Sequence, residues 1–105
     1  MSLLDLKNAL LSVTEAVYHF EAESPEGAYI VWAEDGQGQA VWANGSMQTQ
    51  ALTGSLDYFT KTENDPNFVA IQSALTTAGI SFELISIQYE DDTGYIHYEW
   101  AWEVI

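Results

Sequence analysis

The residues best placed to do chemistry are His97 and Glu99. Two apart in an alternating segment, they share one face of a strand, and Gln88 falls opposite them across a hairpin. A histidine–carboxylate pair can carry general acid–base work when a substrate proton lies within reach. It serves equally as a solvated polar patch on the outside of a sheet, and that is the role expected here. His97-Tyr98-Glu99 has the H-x-E form of the zinc deaminases, but the chain has no cysteine to supply the required P-C-x-x-C. Glu90-Asp91-Asp92 places three acids at a turn, yet not with the spacing of an EF-hand loop, and turn aspartates usually bond local backbone. Gly36-x-Gly38 lacks the third glycine and the following helix of a phosphate-binding loop. No serine stands in G-x-S-x-G. His19, between Tyr18 and Phe20, reads as structural. No catalytic, cofactor-binding or metal-binding residue is assigned, and no cofactor is expected.

Four tryptophans are many for 105 residues. Trp100 and Trp102 share the apolar face of the last strand and belong to the core. Trp32 and Trp42 are candidate aromatic anchors of a protein–protein interface. A sugar-binding platform is the alternative use for such rings.

The elements that hold these residues begin with a helix. Ser2 and Asp5 form a capping box, and Leu3, Leu6, Leu10, Val13 and Val17 recur on one face. Leu4 and Leu11 lie outside that stripe, one heptad apart, and either widen the core face or form a subunit contact. Tyr18-His19-Phe20 is extended. Tyr29 to Glu34 reads as a strand, Asp35 to Gly38 as a turn, Gln39 to Ala43 as the return, and Asn44-Gly45 as the next turn. The register of that hairpin is open, because its glycines permit loops of several lengths. From Met47 to Thr60 the chain alternates, with Gly54 marking a bulge or a close backbone approach.

Asp65 and Pro66 start a second helix whose stripe is Phe68, Ile71, Leu75 and Ala78, and Gly79-Ile80 ends it. Two last strands, Ser81–Glu90 and Tyr95–Ile105, flank Asp91-Asp92-Thr93-Gly94 and oppose Ile85 to Trp100, Ile87 to Tyr98 and Tyr89 to Ile96. The expected fold is one α+β domain spanning residues 1–105. It holds an antiparallel sheet of about five strands with both helices on one face, in the order α-β-β-β-α-β-β.

Composition narrows the function further. Sixteen acids against Lys7, Lys61 and no arginine give a net charge of −14. A phosphate backbone needs clustered cations, and there are none to cluster. Anionic membranes repel such a chain as well, and no apolar run approaches the ~20 residues that span a bilayer. The start, Met1-Ser2-Leu3-Leu4-Asp5, does not read as a secretory signal. The absence of cysteine fits a reducing compartment.

The order of these segments is also familiar. A short helix is followed by Val17-Tyr18-His19, Tyr29-Ile30-Val31-Trp32, Leu56-Asp57-Tyr58-Phe59-Thr60-Lys61 and the helix from Asp65-Pro66. The chain then ends with Ile87-Gln88-Tyr89-Glu90-Asp91-Asp92-Thr93-Gly94-Tyr95-Ile96-His97-Tyr98. This arrangement resembles the tail-completion, or head–tail joining, proteins of long-tailed phages and prophages over nearly the whole chain. The resemblance implies a small structural subunit that forms a homo-oligomeric ring, usually a hexamer, on the tail tube and joins it to the head connector. It implies a virion location in the tail or neck after assembly in the host cytoplasm, with no reaction and no cofactor. The family has no catalytic motif to carry over.

The candidate subunit interface is Leu4, Leu11, Trp32 and Trp42. An acidic lumen would let DNA pass by repelling it, and screening over about 8 Å at physiological salt only partly softens that field. The alternative is a small acidic binding module, such as an inhibitor that mimics DNA, which the charge fits equally well.

Overall fold

Ser2 Oγ accepts the Asp5 N–H at 3.2 Å and Asp5 Oδ2 accepts the Ser2 N–H at 3.0 Å, so helix α1 (Leu3–Leu11) opens on a reciprocal capping box. The computed structural model describes residues 2–38, 41–43 and 46–105, with the side chains of 41–49 outside that description. Leu6 and Leu10 of α1 are fully buried. Leu4 and Leu11 do not widen that face; they stand 63% and 41% exposed.

Helix α2 (Asn67–Thr77) starts as the Asp65-Pro66 pair anticipates, shifted by one position. Pro66 occupies the cap with helical dihedrals, and the capping bond comes from Asp65, whose Oδ1 accepts the Asn67 N–H at 2.9 Å. At the other end Gly79 takes a φ of +74°, and the Ile80 N–H reaches back to the Leu75 carbonyl. That is a Schellman stop, and it drops Ile80 into the core.

Among the described residues, seven strands follow the order β1 (Val17–His19), β2 (Tyr29–Gln37), β3 (Val41–Ala43), β4 (Ser46–Thr49), β5 (Leu52–Thr60), β6 (Ser81–Glu90) and β7 (Tyr95–Val104). Five of them build one sheet, ordered β1-β2-β5-β7-β6. The α+β class, five-stranded sheet and two helices expected from the sequence are all present. The sheet is mixed, not wholly antiparallel, because β1 runs parallel to β2.

The first hairpin is corrected. Asp35 to Gln37 do not turn but continue β2, which pairs with β5 through Tyr29↔Phe59 to Gln37↔Leu52. A bulge between Glu34 and Gly36 absorbs the extra residue. The segment Val41–Ala43 pairs instead with Ser46–Thr49, in a separate two-stranded ribbon. Positions 39, 40 and the Asn44-Gly45 turn lie outside the described residues.

The alternation of β5 holds, since Gly54, Leu56, Tyr58 and Thr60 are buried while Thr53, Ser55 and Asp57 face the other way. Gly54 is where Trp102 crosses the sheet. A Cβ there would collide with the indole ring and with the Ala33 carbonyl, and the Trp102 Nε1–H donates to the Ser55 carbonyl at 2.7 Å.

The last hairpin keeps two of its three expected pairs, Ile87↔Tyr98 and Tyr89↔Ile96. A bulge between Leu84 and Ser86 replaces the third with Leu84↔Trp100 and leaves Ile85 unpaired. The core gathers Leu6, Leu10, Ile71 and Leu75 from the helices against Trp32, Leu56, Tyr58, Tyr98, Trp100 and Trp102 from the central strands. On β6 it is met by Phe82, near the start of the strand. That edge strand leaves Ile87 and Tyr89 54% and 65% exposed, although they pair with residues of the helix-covered face.

Candidate interaction surfaces

His97 lies on the sheet face away from the helices, between neighbours that the sequence did not bring together. Its Nε2 is 2.6 Å from Asp57 Oδ1 on β5, and its Nδ1 is 3.5 Å from Glu90 Oε2 on β6. The ring stacks on Phe59, centroid to centroid 4.3 Å. Gln88 pairs with His97 as expected, but Glu99 does not bond it; Glu99 accepts from the Ser86 hydroxyl at 3.5 Å. Asp57 alternates with the buried Leu56 and Tyr58 and so faces away from the helices. What was missing was the adjacency of β5 and β7, which no local pattern encodes.

His97 is thus held on the sheet by Asp57 at its Nε2 and by the Phe59 ring beneath it. Tyr29, Phe59 and Tyr95 close the cluster in stacked and edge-on contacts, and Lys61 Nζ stands 4.9 Å over the Tyr95 ring. The arrangement braces the open face of the sheet.

His19 is similarly occupied. It stacks on Trp32 at 3.9 Å, and its Nε2 lies 2.5 Å from Glu34 Oε1. The Glu34 carboxyl is held below its ordinary pKa, first by a backbone hydrogen bond and then by His19.

A third polar cluster ties α2 to the sheet. Asp65 Oδ2 accepts from the Tyr58 and Thr60 hydroxyls, each at 2.7 Å, and Asn67 Nδ2 donates to the Tyr58 oxygen at 3.2 Å. Burial opposes ionisation of Asp65, but bonds from the Asn67 N–H, Thr60 and Tyr58 outweigh it and lower the pKa. Burial first, and the bond to Asp65 second, push the Tyr58 hydroxyl up to about 12. Among the described residues, no three His, Asp or Glu side chains converge to hold a metal ion.

The concave surfaces are open grooves. One of about 580 Å³ runs between the helices, past Asp5, Asn8, Ser12, Ser73 and Thr77. Another, of about 380 Å³, lies over Trp102 and is rimmed by Asp35, Glu83 and Glu103. Neither joins the His97 cluster.

The expected interface residues divide. Leu4 and Leu11 stand in solvent on α1. Trp32 is no exposed anchor: it is 4% exposed, wedged between His19 and Trp102 under the helices. Its alternation with Ile30 on β2 carried the signal, since Ile30 is fully buried on the same face. The Trp42 side chain lies outside the described residues. Ile85, Ile87 and Tyr89, which the sequence set opposite Trp100, Tyr98 and Ile96, stand exposed. Val69 of α2 joins them as a further exposed apolar residue. No helix among the described residues is long and apolar enough to cross a membrane.

No family model matches the chain, and no curated protein is significantly similar to it. Among solved structures, the chain is similar in fold to a subunit of the virion of a native gene transfer agent particle. That match has a TM-score of 0.56 and 10% identity, over 93% of this chain and 88% of that one. An H-NOX structure solved to study its activation aligns with a TM-score of 0.45 and 12% identity over 95% of this chain. The chain spans only 43% of that H-NOX protein's length.

Proposed function

We propose that the chain is a structural subunit of a phage-like particle, a tail-completion protein. Its ring caps the tail tube and joins it to the head connector in the neck of the virion. It carries no reaction of its own and needs no cofactor. The observation that carries this reading is the two-way coverage of the gene transfer agent likeness: nearly the whole of this chain overlies nearly the whole of a virion subunit. The resemblance of the segment order to head–tail joining proteins points the same way.

The physical chemistry is consistent with that role. Both histidines are engaged by carboxylates and aromatic rings, which leaves them as bracing groups. A channel for DNA needs walls that do not bind it, and a chain of −14 with two lysines repels phosphate. A monomeric DNA-mimic inhibitor would share that charge. It would have no use for apolar side chains exposed on two flanks, which favours the assembling subunit.

The test is direct. Purified protein is mixed with tail tubes of a phage-like particle from the same source, then sedimented and viewed by negative-stain microscopy. The reading expects the protein in the pellet and density at one end of the tube only. Protein left in the supernatant, with bare tube ends, would refute it.

A further inference from the structure

We draw no further inference here: the strongest candidate, the apolar flank that Ile85, Ile87 and Tyr89 expose along the β6 edge of the sheet, carries nothing because nothing in the structure shows what covers it.

Discussion

Replacing Asp65 with alanine removes one carboxylate and strands three donors. The Asn67 N–H loses its cap, worth about 1 kcal/mol for side-chain caps in general. The Thr60 hydroxyl is 1% exposed, and a buried donor left without an acceptor costs about 1–3 kcal/mol. Tyr58 keeps its bond from Asn67 but loses its own acceptor. The expected cost of Asp65→Ala is therefore about 2–4 kcal/mol at neutral pH, or upwards of about 8 °C in Tm for a domain this small. Asp65→Asn can keep one oxygen for the cap, but its amide nitrogen replaces Oδ2 and cannot accept from the Tyr58 and Thr60 hydroxyls, so it should recover about the 1 kcal/mol of the capping bond and little more.

The pH dependence carries a sign. The folded carboxyl titrates below its ordinary 3.8, so its contribution is complete above the unfolded value and drains away as pH falls through the folded one. The gap between wild type and Asp65→Ala should thus be flat at neutral pH and narrow only below about pH 4. Urea titrations at several pH values measure it. A gap under about 0.5 kcal/mol at pH 7, the size of an ordinary surface change, would refute the reasoning, as would one that does not shrink in acid.

Gly54→Ala should destabilise by about 1–3 kcal/mol in chemical denaturation, because the new methyl meets the Trp102 ring and the Ala33 carbonyl. Tyr58 should ionise at about 12 by ultraviolet absorbance. Its raised pKa means that stability starts to fall once pH passes the ordinary tyrosine value of 10.0. Duplex DNA should show no gel shift even at low salt; a salt-dependent shift would contradict the repelling channel.

Both helices were legible because their signals are local: the Ser2–Asp5 box, Asp65-Pro66, the Gly79-Ile80 stop and the leucine and isoleucine stripes. The last hairpin was legible for the same reason, down to Ile87↔Tyr98. What failed was adjacency at a distance. Asp35 to Gly38 carries two glycines and reads as a turn, yet β5 offers β2 a longer ladder, and a bulge keeps the faces in phase. The parallel pairing of three-residue β1 has no sequence signature at all. Trp32 was misjudged because the turn reading pairs its strand with Gln39 to Ala43, whereas the strand pairs with β5 and lies one place from the centre of the sheet. The alternation of β6 correctly put Ile87 and Tyr89 on the face of Tyr98 and Ile96, but it could not reveal that their strand is the edge of the sheet, where they stand exposed.

The most direct test of the account is the mass of the wild-type protein by light scattering across salt and concentration. Each added copy brings another −14, so dilute protein at low salt should be monomeric. Raising the salt shortens the Debye length from about 30 Å at 0.01 M to about 3 Å at 1 M, which screens that repulsion and leaves the apolar contacts. The expected result is a single ring-sized species, a fixed multiple of the protomer, appearing at raised salt and high concentration. A protein that remains monomeric at every salt and concentration, and is also absent from sedimented tail tubes, would contradict the account.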